Sequence, residues 1–196
     1  VKVQVVSIFT DNFRGMAELV SPISQKYCDT HGFNYRLVEV YPTQEKPASW
    51  HKIPCMKEAF SSGNDWVVSV DIDAFFYNHA ISLLEFLDTD KDIVISKDDN
   101  GYNCGVMALR NCRDNIDTLD KMWSMDEYNH HGWWEQAAFH HLTNENWNGI
   151  NNRILEVPHN RFNSWEHDLS RDSLVFHACG GDKIERIKKI LLTTNH

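Results

Sequence analysis

The sequence predicts an α/β fold, a single domain with a mainly parallel central sheet flanked by helices. Three observations lead there. Short β-branched or aromatic runs alternate with helical stretches through the first half of the chain, as in repeated strand–helix–strand units. The 196 residues suit one domain with a sizeable core, and no repeat, low-complexity tract or linker divides them. Val67, Val68 and Val70, bounded by polar residues, read as a buried strand that runs straight into Asp71-Ile72-Asp73.

The elements follow in order. Residues 3–10 read as a first buried strand, ending in Asp11-Asn12 where open α/β sheets bind ligands. A helix over 14–30 is expected to break or restart at Ser21-Pro22, and Gly32 supplies its stop. Residues 33–40 form a second strand whose imperfect alternation predicts cover on both faces. Residues 41–49, with Pro42 and Pro47, are a loop, and Trp50 to Pro54 opens a helix running to about Phe60, with Gly63 past its end. After the Asp pair, Phe75, Phe76 and Tyr77 belong to the core, 81–87 to a short helix and 93–95 to a strand. Asp98-Asp99-Asn100-Gly101 is a turn leading into a strand over 102–111. Helices are expected over 115–125 and up to Leu142, separated by a wet aromatic segment at 128–136. A strand at 154–157, a loop over 158–168, a last strand at 174–177 and a basic amphipathic helix over 184–192 complete the chain.

Composition narrows the partners. A formal net charge of -9 argues against nucleic acid, since phosphate backbones call for clustered cations. An anionic small ligand is compatible with that charge where a metal ion supplies the positive counterpart. Seven Trp and ten Phe favour a ligand cleft. Cys28, Cys55, Cys104, Cys112 and Cys179 are odd in number and lack a C-x-x-C pair, which indicates reduced thiols in a cytosol-like compartment. No membrane segment or signal pattern is found, so a soluble, cytoplasmic setting (the host cytoplasm for a viral protein) is expected over a Golgi lumen. The chain begins at Val1 without Met, as an excised domain or processed product would.

Asp71 and Asp73 alternate with one residue between them, so an extended backbone points both the same way. Two carboxylates on one face can hold a hard divalent cation, although an isolated Asp-x-Asp is more often a capped turn paired with Lys or Arg. Trp50 reads as core or cleft wall, and Lys52 as a solvated side chain or a phosphate contact. Gly105, within Asn103-Cys104-Gly105, allows either close approach of a ligand or close packing. His130, His131, His140 and His141 read as surface or cleft histidines, because adjacent pairs diverge and no H-E-x-x-H pattern is present. At the C-terminus His177 follows a strand and can complete a transition-metal site. Three residues on, Gly180 opens a turn able to present N–H groups to phosphate, and Lys183 adds a point charge. Together these describe a metal-bridged diphosphate site.

Here the chain resembles the GT-A glycosyltransferases, nucleotide-sugar enzymes with a Rossmann-like domain. Residues 66–74 look like their central strand and Asp-x-Asp motif, and 102–107 like the Asn-x-Gly strand of glycogenin-like and galactosyl/xylosyltransferase families. His177-x-x-Gly180-x-x-Lys183 matches the glycogenin-like motif, with Ile184-Glu185 where Pro-Trp often follows. Trp50-x-Lys52-x-Pro54, Arg110-Asn111 and Glu135-Gln136 are closer to the α-galactosyl/xylosyltransferases of family 34, including compact viral and microbial relatives. That family often has Asp-Gln, so Glu135 is a departure.

The resemblance implies one GT-A domain over 1–196, nucleotide-binding in its N-terminal part, with acceptor binding and metal/diphosphate closure in its C-terminal part. It implies Mn²⁺ or Mg²⁺ on Asp71, Asp73 and His177, and a nucleotide-sugar donor, UDP-sugar by preference, bound by Thr10, Asp11, Tyr35, Lys52, Asp71, Gly180 and Lys183. Glu135, Gln136, Asn103 and Asp98 would flank the transferred hexose or the acceptor, a glycan or glycoprotein. The implied stereochemistry leans towards retention; inversion would need a general base such as Glu135, Asp98 or Asp99. Two rival readings stand beside this one. A sugar nucleotidyltransferase also uses paired carboxylates, although 10–14 lacks its glycine-rich cluster. A non-catalytic glycan-binding or scaffold module is the other.

Overall fold

The computed structural model describes residues 1–193; residues 194–196 of the expected domain lie outside the described residues. Strand β1 (Val3–Phe9) leads through a 3-10 turn into α1 (Arg14–His31), β2 (Asn34–Glu39), α2 (Lys52–Ser61) and β3 (Trp66–Val70). Then come β4 (Ala74–Phe76), α3 (Leu84–Leu87), β5 (Ile93–Asp98) and β6 (Gly101–Arg110). The second half supplies α4 (Arg113–Trp123), α5 (Trp134–Asn144), β7 (Ile154–Pro158), α6 (His159–Phe162), β8 (Val175–His177) and α7 (Lys183–Thr193).

The main sheet has the order β2-β1-β3-β6-β5-β7, parallel throughout except for β6, which is antiparallel to both neighbours. β3 lies at its centre and every one of its residues is buried. Alternation along the strands separates two layers of core. Val6, Val67, Ile95 and Met107 face α2, α4 and α5, whereas Val5, Val68, Val94 and Val106 face the layer containing Tyr27 of α1, Phe86 and Phe162. Each such fully buried side chain contributes about 1.5–3 kcal/mol relative to exposure.

Several expectations are corrected. α1 runs unbroken through Pro22, because its buried positions Met16, Ala17, Val20, Ser24 and Tyr27 pack on both sides of the proline; tertiary burial outweighs the lost hydrogen bond. Gly32 closes that helix at φ 70 as expected. β2 is an edge strand with no fully buried residue, so its irregular alternation reflects half-exposure rather than cover on both faces. The helix expected over 81–87 is confined to Leu84–Leu87, since Ser82 begins a hydrogen-bonded turn. The loop over 158–168 contains α6.

A smaller antiparallel pair, β4 with β8, sets Ala74 opposite His177 and Phe76 opposite Val175. This pair is what brings the two ends of the sequence to the same place. Elsewhere, Asn115 fastens the far rim: its Nδ2 donates to Asp92 O and Arg110 O at 2.7 and 3.0 Å, and its Oδ1 accepts from Arg153 Nη1 at 3.1 Å. Asn115→Ala should therefore lose roughly 2–4 kcal/mol of stability, through buried groups left unpaired, in urea unfolding followed by circular dichroism.

Candidate active site

β3 ends at Val70, and the chain leaves the sheet in a tight turn. Asp71 N–H donates to Gly105 O at 2.8 Å, and Ala74 N–H donates to Asp71 O at 2.9 Å. The next residues enter β4, whose pairing with β8 carries His177 alongside; Ala178 N–H donates to Asp73 O at 2.9 Å. One ligand atom each from Asp71, Asp73 and His177 lies within 4.8 Å of the others. His177 Nε2 stands 3.2 Å from Asp73 Oδ1, and Lys183 Nζ donates to Asp73 Oδ2 at 2.5 Å.

The imidazole is fixed from both sides. Its Nδ1 donates to Asn163 Oδ1 at 2.9 Å, which turns Nε2 towards the carboxylates. Beneath it lies Gly105, where a Cβ would sit 2.7 Å from His177 Nδ1 and 2.9 Å from Asn103 Oδ1. The glycine is therefore a packing requirement of the histidine. In the β5–β6 pairing Ile95 faces Met107 but Ser96 faces Asn103, and this slip lies at the Asn-x-Gly segment. Asn103 Oδ1 accepts from Gly105 N–H at 2.9 Å while its Nδ2 donates to Asp98 Oδ2 at 2.8 Å. Asn103 and Asp98 thus brace the strand on which His177 rests.

Lys52 is not on a solvated face. It is 2% exposed and donates to Asp71 Oδ1 at 2.6 Å and to Glu135 Oε1 at 2.8 Å. Gln136 accepts Cys104 N–H at 3.0 Å on its Oε1. Glu135 Oε2 is buried and has no partner among the described residues.

Electrostatics divide the two aspartates. Burial works against ionised Asp73, yet His177 and Lys183 overcome it and hold the carboxyl well below its usual range. Burial raises the Asp71 carboxyl, and Lys52 offsets only part of that. Burial also opposes charge on Lys52, but Asp71 and Glu135 outweigh it and raise its pKa. For His177 burial is again overcome by Asp73, which pushes the imidazolium up to about 10.

Beside this cluster is a cleft of about 300 Å³, lined by Thr10, Phe13, Pro47 to Ser49, Asp71, Asp73, Trp134 and Lys183. Asp11 does not line the cleft; it is exposed and paired with Arg14 at 3.0 Å. Gly180, at φ 73, turns the chain between His177 and Lys183. Tyr35 stands apart: it packs against the α1 side of the sheet among buried apolar residues and does not line the cleft. Trp50 is fully buried. His140 bonds Tyr102 O and His141 bonds Tyr128 Oη, and among the described residues no histidine joins a metal-ligand group except His177.

No motif or spacing pointed to Asn163 or to Lys46. Lys46 lies over the rings of Trp50 and Trp123, 4.4 and 5.0 Å from their centroids. Its ammonium also reaches Trp123 O at 2.7 Å, Asn129 Oδ1 at 3.0 Å and Asp126 at 2.8 Å. It anchors the loop whose residues 47–49 form one cleft wall. A lysine beside aromatics has no sequence spacing that announces it.

The donor set of two carboxylates and an oriented imidazole fits a divalent cation such as Mn²⁺ or Mg²⁺. Buried Glu135 Oε2, next to the Lys52–Asp71 pair, has no partner among the described residues and is a group a bound ligand could satisfy.

The galactosyl transferase GMA12/MNN10 family matches residues 23–91 of the chain, a span that includes the acidic pair. No curated protein matches the chain in sequence. Among solved structures, it is similar to a glycosyltransferase involved in the glycosylation of the major capsid of PBCV-1, with TM-score 0.79 and 18% identity, over 98% of this chain and 100% of that one. The galactosyltransferase LgtC, solved with donor and acceptor sugar analogs, matches at TM-score 0.64 and 14% identity over 98% and 96% of the two chains. GlyE of Streptococcus pneumoniae matches at 0.62 and 13% over 93% of this chain and 55% of its own. The structural likeness shows the GT-A fold. The family match, over residues 23–91, adds the acidic pair to that likeness.

Gly105→Ala should displace the His177 ring and lower Mn²⁺ affinity by about tenfold or more, as second-shell losses do, in calorimetric titration of a protein that still melts cooperatively. A second expectation concerns protons. The His177 pKa is raised on folding, so in the metal-free protein its stabilising contribution is complete below its ordinary value of 6.5 and is lost as pH rises through about 10. Asp73 has the opposite sign: its contribution is present above 3.8 and is lost on acidification. A cation taking His177 Nε2 must displace that proton, so Mn²⁺ binding near neutral pH should release about one proton. Calorimetry in two buffers of different ionisation enthalpy reads this directly.

Proposed function

We propose that this protein is a glycosyltransferase that moves a hexosyl group from a UDP-sugar to a hydroxyl of a glycan or glycoprotein, with a divalent cation held by Asp71, Asp73 and His177. The observation that carries the reading is the convergence of those three side chains with Lys183 at the edge of a cleft. When bound, the cation would neutralise the charge that builds on the departing diphosphate.

The chain's own residues supply the rest. Lys183 keeps 35% of its side chain exposed, so it can leave Asp73 for a phosphate; Lys52, at 2%, is held by Asp71 and Glu135 and orients the first aspartate. The apolar wall formed by Phe9, Val40 and Pro47 suits the face of a nucleobase, with Thr10 supplying a hydroxyl. In the transfer the bond from the anomeric carbon to the β-phosphate oxygen breaks with its electron pair going to UDP, and the acceptor oxygen bonds to that carbon. The acceptor's proton passes to the departing diphosphate or to water. Glu135 and Gln136 border this region, with Asn103 and Asp98 supporting it from behind.

Purified protein titrated with UDP should bind in the presence of Mn²⁺ and release it on addition of EDTA. Asp73→Asn should reduce turnover of a UDP-hexose by at least about a hundredfold, the scale of lost transition-state electrostatics, with the fold retained by circular dichroism. UDP bound equally well with EDTA would remove the metal from the reading. Turnover of a nucleoside triphosphate with pyrophosphate release would favour a nucleotidyltransferase, and sugar binding without turnover a scaffold.

A further inference from the structure

The residues from His130 to Trp134 are all exposed, between buried Asn129 and buried Glu135. Two large aromatics lie side by side in this stretch, Trp133 at 45% and Trp134 at 46% exposure. Adjacent exposed indoles are unusual on a monomer surface and mark a contact site. Trp134 also has a φ of 43, a left-handed conformation that bulky side chains rarely adopt and that tends to occur at functional positions.

Their position specifies the ligand further. Trp134 lines the same cleft as Asp71, Asp73 and Lys183, and its neighbour Glu135 is ion-paired to Lys52, itself bonded to Asp71. The aromatic stretch therefore begins where the reacting charges end. The same cleft also offers Phe9, Val40 and Pro47, apolar side chains available to the nucleobase. Trp133 is rimmed by imidazoles: its ring meets His140 edge-on at 5.5 Å and His131 at 5.9 Å, and its backbone N–H donates to His131 Nδ1 at 3.1 Å. Flat apolar rings with a hydrogen-bonding rim complement a pyranose, which has an apolar C–H face and a hydroxyl edge.

We propose that Trp133 and Trp134 form the platform on which the acceptor's terminal hexopyranose stacks, presenting its hydroxyl to the metal and diphosphate end of the cleft. This rests on the transferase reading above and assigns the acceptor class and its subsite.

The test uses the whole chain with Mn²⁺, UDP-hexoses, and a panel of p-nitrophenyl hexopyranosides as acceptors. UDP affinity is read by calorimetry, and transfer by product formation. Trp134→Ala should raise the acceptor KM by about tenfold or more while moving the UDP Kd less than about threefold, and Trp134→Phe should recover most of the loss, as expected for stacking. Trp133→Ala should act in the same direction, and with Trp134→Phe it carries the test if Trp134→Ala fails to fold. An unchanged acceptor KM, or a loss of UDP affinity matching the loss in acceptor KM, overturns the platform. So does wild-type protein that binds UDP with Mn²⁺ but neither glycosylates any panel member nor changes its tryptophan fluorescence on adding one. Wild-type protein that fails to bind UDP with Mn²⁺ instead overturns the transferase reading and, with it, the platform.

Discussion

The carboxylate of Asp73, nearly buried and held between His177 and Lys183, is the contact on which the rest of the site depends. A charge so placed is costly unless it is paired, and pairing requires that residues far apart in sequence be delivered with little freedom. The β4–β8 ladder provides the delivery, Gly105 the space beneath the imidazole, and Asn163 the ring orientation. Removing any one of these leaves Asp73 partly uncompensated. The packing of the second half of the chain is thus coupled to the charge state of one residue.

The wider cluster is paired. Asp71 and Glu135 face Lys52, and Asp73 faces Lys183 and His177, so every acid of the metal-free cluster has a cationic partner before any ligand arrives. A divalent cation entering there adds charge unless something leaves. The His177 proton and the Lys183 ammonium are the two positive charges able to do so, the first by dissociation and the second by swinging on a long, half-exposed side chain. Lys52 cannot, because burial fixes it between two acids. Two lysines that look alike in sequence therefore have different physical capacities.

Local chemistry was legible in the sequence and long-range chemistry much less so. β3 and its Asp-x-Asp could be read because β-branched periodicity and side-chain alternation are properties of a few adjacent residues. His177 and Lys183 were found through a short spacing across one turn. By contrast, the burial of Lys52 depends on Glu135 from a distant helix, and the role of Asn163 exists only because β8 passes beside the α6 loop. The family resemblance, and a place near an end of the first strands, assign Tyr35 to the nucleoside along with Thr10 and Asp11. It packs instead on the α1 side of the sheet and does not line the cleft. Which face of an edge strand a residue occupies is decided by register against β1, where Val5 lies opposite it. Pro22 misled for a related reason: propensity is local, whereas the apolar face of α1 is set by the sheet it covers.

The cleft walls follow the same division between rigid and movable parts. Lys46, clasped between two indoles and bonded to a carbonyl, an amide and a carboxylate, immobilises the loop carrying Pro47 to Ser49. Fixing that wall in advance would lower the ordering cost of binding the proposed nucleotide donor. Trp134, which also lines the cleft, is exposed and conformationally strained, yet it is joined directly to Glu135 in the buried charge network. A ligand touching Trp134 therefore acts on the residue next to a buried ion pair. In the proposed reaction, acceptor contact and the alignment of Lys52 with Asp71 are therefore adjacent along the chain, which would anchor recognition of the second substrate to the groups that handle the first.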